Sequence, residues 1–167
     1  MVYASFGIYL CIMNRKKIPT PNFDSINPRE CINGKLRRLH RLLNSAYESK
    51  FRPYGLRGSM LSILFMVGKN PGINQKTIAD AFVLDQSTMS RDLKRLADKG
   101  WLEINKGEDA RHSKLSLTKT GYELVEKLSP IWQQTHDTVA RILGTYNVQQ
   151  LDVVMHAIRE HFQEIND

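Results

Sequence analysis

Between Gly72 and Gly121 the chain sets two helix starts, a helix stop and two alternating apolar runs in close succession. Asn74 is suited to cap a helix, and Ile78, Ala79 and Phe82 follow it at helical spacing. Val83-Leu84 breaks the polar face, and Asp85 offers a second N-cap ahead of Gln86. Met89, Leu93 and Leu96 then recur at i, i+4 and i+7, which predicts one buried face on the second helix. Its opposite face carries Gln86, Ser87, Ser90, Arg91, Lys94 and Arg95, side chains of the types that hydrogen-bond base edges and phosphates. Gly100 ends the helix as a C′ residue. Trp101-Leu102-Glu103-Ile104 and Lys114-Leu115-Ser116-Leu117 each alternate as short strands, and Asn105 to Ser113 makes a charged loop between them. The order predicts a helix-turn-helix followed by a two-stranded hairpin with a charged tip, a shape suited to reading duplex DNA.

These residues resemble the winged helix-turn-helix of MarR-type transcriptional regulators. The wing motif D-x-R occurs as Asp109-Ala110-Arg111, and L-T-x-x-G occurs as Leu117-Thr118-Lys119-Thr120-Gly121. The spacing from Asp85 through Lys99-Gly100-Trp101 to Asp109 fits as well, and the resemblance covers roughly residues 28 to 165. Each short motif is weak alone; the combination is fairly specific. Trp101 departs from the family, which more often has an aliphatic residue there, yet the side chain is expected under the wing either way. The implied fold is mainly α with a small β wing, flanked by N- and C-terminal helices that join two subunits.

One domain fits the length, with 1–26 as an apolar N-terminal segment and linker and 27–167 as the folded part. Within it, 27–52 and 118–165 are read as dimerisation helices and 57–117 as the DNA-binding unit. The first helix is predicted to start at Asn27-Pro28-Arg29-Glu30, with Asn27 capping, Pro28 at the first helical position and Glu30 completing a capping box. Ile32, Leu36, Leu39, Leu43, Tyr47 and Phe51 form its expected buried stripe, and Pro53 stops it. Arg57 to Val67 is the next expected helix, with Met60, Leu61, Leu64 and Phe65 inward. After the wing, Thr118 caps a long helix to about Leu143, with Pro130 predicted to kink it near Glu126 to Leu128. Gly144 closes it, and Asn147 with Gln150 reads as a capping box for a last helix striped by Leu151, Val154, Met155, Ile158 and Phe162.

Net charge of +7 and a pI near 9.5 suit a polyanionic partner. Its distribution is more telling: the basic excess lies in residues 1–60, whereas residues 118–167 are mildly acidic. Cys11 and Cys31 form no disulfide framework and no metal motif, which points to the cytoplasm. Val2 to Met13 is apolar but too short to span a bilayer, and Arg15-Lys16-Lys17 follows it rather than precedes it, unlike a secretory signal. Three readings of it stand: an arm packed on a partner subunit, a disordered tail, or a true start at Met13.

For DNA, Gln86, Ser87, Ser90 and Arg91 are expected within reach of base edges, with Arg91 suited to guanine and Gln86 to adenine. Thr88, Lys94 and Arg95 are assigned to phosphates, and so are Asn74, Gln75 and Lys76 at the preceding helix start. Local capping is nearly as good an explanation for Ser87 and Thr88. In the wing, Arg111 is the expected minor-groove residue and Asp109 its orienting partner, a division of labour that the resemblance also implies. Lys106, His112 and Lys114 are candidate phosphate contacts.

The same resemblance implies a homodimeric regulator, more often a repressor, that responds to a small aromatic or anionic effector. Phe51, Tyr54, Met60, Trp132 and His136 are candidate cleft residues, with ordinary core and hinge roles as the plainer alternative. Two other functions are carried alongside: a winged-helix module that binds protein, and a redox sensor acting through Cys31. Asp92, the single acidic interruption of the second helix's basic face, weighs little for the protein-binding module. No nucleophile–base grouping, cofactor motif or metal-ligand spacing is present, so neither an enzyme nor a metal or cofactor is expected.

Overall fold

The computed structural model describes residues 18–106, 113–162 and 164. Before Leu39 the described chain holds one short helix, α1 (Pro21–Asp24), within the stretch expected to be linker, and the beginning of α2 (Ile32–Phe51). Asn27 to Glu30 is a turn and does not start α2. The Asn27 amide donates to Glu30 Oε1 at 2.7 Å, and Asn27 Oδ1 accepts from the Arg29 N–H at 3.1 Å. The two side chains of the expected capping box therefore satisfy each other locally. Cys31 takes over at the start of α2, its sulfur accepting from the Gly34 N–H at 3.4 Å.

The stripe along α2 is buried only at its end. Ile32 and Leu36 are exposed, Leu39, Leu43 and Tyr47 are half-buried, and Phe51 is buried. A 3-10 turn (Arg52–Tyr54) follows, and α3 (Met60–Lys69) starts three residues later than expected. Its Met60, Leu61, Ile63, Leu64 and Val67 enter the core. There they meet Ile78 and Ala79 of α4 (Gln75–Phe82) and Met89, Leu93 and Leu96 of α5 (Gln86–Asp98).

The sheet has three strands, one more than the expected hairpin. β1 (Ile73–Asn74), β2 (Leu102–Lys106) and β3 (Ser113–Leu117) lie in the order β1-β3-β2, all antiparallel. Ile73 pairs with Leu115, and Leu102 with Leu117. β3 is thus central, and Leu115 is fully buried. α6 (Lys119–Leu143) continues through Pro130, and α7 (Thr145–Glu160) follows Gly144. Asn147 is not the cap of α7: it lies inside the first turn, and its amide donates to the Leu143 carbonyl at 2.7 Å. α7 buries none of its residues.

The turn between α4 and α5 contains a strained residue. Val83 adopts φ +51°, the left-handed region that a β-branched side chain disfavours. It occupies the position after the helix where glycine is usual, with the Leu84 N–H reaching back to the Ala79 carbonyl at 2.9 Å. Its side chain is exposed and packs nothing in the core. Val83→Gly is therefore expected to stabilise the fold by about 1 kcal/mol, the left-handed penalty less the glycine's chain entropy. The check is thermal melting, where a rise of a few degrees is expected and no rise contradicts the strain.

Candidate nucleic-acid interface

Two caps fix the helices that form the site. Asn74 Oδ1 accepts from the Thr77 N–H at 2.8 Å and from the Thr77 hydroxyl at 3.0 Å. Asp85 Oδ1 accepts from the Thr88 N–H at 2.8 Å and the Ser87 hydroxyl at 2.5 Å, while Oδ2 accepts from the Thr88 hydroxyl at 2.7 Å. The Ser87 hydroxyl, then the Thr88 hydroxyl and N–H, hold the Asp85 carboxyl well below the usual carboxylate range. Ser87, Thr88 and Asn74 thus use polar atoms on capping, as the plainer reading of Ser87 and Thr88 had it. At its other end α5 closes with the Gly100 N–H on the Ala97 carbonyl and the Trp101 N–H on the Leu96 carbonyl, Gly100 sitting at φ +70°.

Between these ends, burial of Met89, Leu93 and Leu96 turns Gln86, Ser90, Arg91, Lys94 and Arg95 to solvent. Arg91 lies along the helix, its Nε donating to the Ser87 carbonyl and its Nη2 to the Thr88 hydroxyl, both at 3.1 Å. Gln75 donates to Gln86 Oε1 at 3.3 Å, joining the starts of α4 and α5, and Lys76 beside it is exposed. The face therefore gathers amide, hydroxyl and guanidinium groups from two helix starts, a set able to meet phosphates and base edges together.

Asp92 does not interrupt this face. It is buried on the other side of α5, where Oδ2 accepts from the Ser59 hydroxyl at 2.6 Å and Oδ1 meets Arg95 Nη1 at 3.2 Å. Its spacing, three residues after Met89 and four before Leu96, carried that signal. Asp109 and Arg111 lie outside the described residues, as do His112 and the Lys106 side chain; Lys114 is exposed on β3.

The L-T-x-x-G motif acts as a joint. The Thr118 hydroxyl donates to the Gly100 carbonyl at 2.6 Å and accepts from the Gly121 N–H at 3.0 Å, and the Thr120 hydroxyl meets the same carbonyl at 2.7 Å. The end of α5, the wing base and the start of α6 are tied at that one carbonyl.

Of the five candidate cleft residues, Phe51 and Trp132 line a cavity of about 320 Å³ beside α2 and α3. Leu43 and Leu61 extend its apolar wall, and Tyr47 and Arg57 bring polar groups to it. Burial pushes the Tyr47 phenol up from its ordinary value. The other three do not line it. Met60 is core, Tyr54 lies under the Lys127 ammonium at 5.2 Å, and His136 stacks on Trp132 at 4.9 Å.

Residues 54–112 match the family model described as MarR family. An uncharacterized HTH-type transcriptional regulator of Bacillus subtilis, YwoH, is 29% identical over 89 residues, covering 53% of this chain and 65% of that protein. The chain thus spans just under two thirds of that relative's length. The HTH-type transcriptional regulator BilQ of Clostridium symbiosum is 28% identical over 105 residues, covering 62% of this chain and 73% of its own. Among solved structures, the M. tuberculosis transcriptional regulator MOSR in complex with DNA superposes with a TM-score of 0.68 at 24% identity. That match covers 79% of this chain and 97% of MOSR, and it shows the same fold. Both relatives, YwoH and BilQ, are named as HTH-type transcriptional regulators. No described helix is long and apolar enough to cross a membrane.

Proposed function

From its place in the MarR family of transcriptional regulators, we propose that this chain represses transcription as a homodimer bound to a pseudo-palindromic operator and is released by a small effector. The observation that carries the DNA-reading part is the exposed face of α5, where Gln86, Ser90, Arg91 and Lys94 lie opposite buried Met89, Leu93 and Leu96. An α-helix so anchored fits the major groove with its N-terminal residues toward the bases. The Asp109–Arg111 pair is assigned to the minor groove. MOSR, which shares the fold, was solved on DNA.

The two-fold part rests on α7, an amphipathic helix of sixteen residues, none of them fully buried and most of its apolar stripe exposed. An isolated helix of that length is marginal in water, so its apolar stripe calls for a partner. The 320 Å³ cavity is of the size that takes a small aromatic or anionic molecule, with Arg57 to meet a carboxylate or phenolate.

The test of base reading is Arg91→Ala measured on the bound duplex and on its single-base variants. Discrimination at one base pair per half-site is expected to fall by about 1–3 kcal/mol, with the other positions unaffected. A uniform loss across all sequences would instead make Arg91 a phosphate contact.

A further inference from the structure

Asp92 is the one buried charged residue among the described residues. A carboxylate at a position that an apolar side chain could fill is costly unless its partners hold it well. Here both oxygens have partners: the Ser59 hydroxyl at 2.6 Å and the Arg95 guanidinium at 3.2 Å. Ser59 stands at the N-cap of α3, yet it makes no capping bond there; its hydroxyl turns to Asp92 instead. The preceding Gly58 N–H is held by Glu48 Oε1 at 2.9 Å, so the loop that presents Ser59 is itself anchored on α2. Arg95, by contrast, is exposed and shares the face of α5 proposed to read DNA.

We infer that Asp92 is a positioning residue for DNA specificity, holding the Arg95 guanidinium in one direction at the expense of part of its charge. This rests on the DNA-reading function proposed above. A free arginine on this face is drawn to any phosphate, because charge attraction carries no sequence information. One tethered to a buried carboxylate reaches a phosphate only where the backbone lies in the right place, so correct register is rewarded and random register is not. Asp92 also locks the rotation of α5 against α3 through Ser59, which sets the direction of Gln86, Ser90 and Arg91 as well.

The experiment selects a duplex for the wild-type protein from a randomised pool, then measures affinity for it and for a scrambled duplex across a salt series. Asp92→Asn keeps the shape and removes the charge. Its selected-to-scrambled ratio is expected to fall at least five-fold, while scrambled binding stays equal or tightens. Ser59→Ala, which leaves the carboxylate in place and guards against misfolding of the first variant, should lower the ratio about two-fold. Adding Arg95→Ala to Asp92→Asn should lower the ratio little further, because the two act as one unit. Equal losses on both duplexes, or a ratio that does not move, overturn the assignment. A wild-type protein that selects no sequence overturns the DNA-reading function itself, and this assignment with it.

Discussion

Replacing Gly121 with alanine is expected to remove about 3 kcal/mol of stability, a large part of the roughly 5–15 kcal/mol that holds a domain together. A Cβ at this position would stand 2.0 Å from the Trp101 carbonyl oxygen and 3.4 Å from Leu117 Cβ. The obstacle is backbone, which cannot swing aside as a flexible side chain would. That backbone is also held in place: the Trp101 carbonyl accepts from the Thr118 N–H at 3.2 Å, and Thr118 and Thr120 grip Gly100 beside it. Relief therefore requires α6 to move away from the end of α5, which opens the joint among α5, the wing and the long helix. Denaturant unfolding checks it: the midpoint should drop with little change in slope. An unchanged midpoint would mean that the helices can separate at no cost.

The second large effect concerns assembly. Ile158→Glu places a charge within the exposed stripe of α7, beside Val154, Met155 and Phe162. The proposed interface would then bury an unpaired carboxylate, which apolar neighbours cannot compensate. The variant is expected to sediment as a monomer and to bind operator at least one hundred-fold more weakly, since two linked half-site contacts become independent. No residue of α7 belongs to the core of the winged helix, so each monomer should still melt cooperatively. A variant that remains dimeric would place the subunit contact elsewhere.

Most of the winged helix was legible in the sequence because its signals are local. Asn74, Asp85 and Thr118 cap where they were expected to, Gly100 and Gly144 close helices at positive φ, and Met89, Leu93 and Leu96 are buried. Each depends on residues within one or two turns. What escaped depends on contacts distant in sequence or on competition between nearby partners. β1 is two residues long and exists only because Leu115 and Lys114 lie opposite it. Asn27 and Glu30 carry the signature of a helix start, yet their side chains bond each other and the helix begins after them. Periodicity told that α2 has an apolar stripe, not that Ile32 and Leu36 would be left uncovered within their own chain.

The candidate site divides the same way. The exposed face of α5 follows from its period, so the exposure of Gln86, Ser90, Arg91, Lys94 and Arg95 could be read from the sequence. Asp92 has the same period as the buried residues, but as a charged side chain it was assigned to solvent. Its burial depends on Ser59, thirty-three residues earlier, and no local pattern reports that pairing. The cavity was only partly foreseen, because aromatic residues at hinges fill core, stack on each other or line space according to packing alone.

On this proposal two copies of α5 read one duplex. Selection of bound sequences from a randomised duplex pool by the wild-type protein, followed by footprinting of the winner, tests it most directly. The expected winner is an inverted repeat whose half-site centres lie about one helical turn apart, protected symmetrically and bound with a steep dependence on salt. Recovery of no common sequence, with equally weak binding to every duplex, would contradict it and turn the winged helix toward a protein partner.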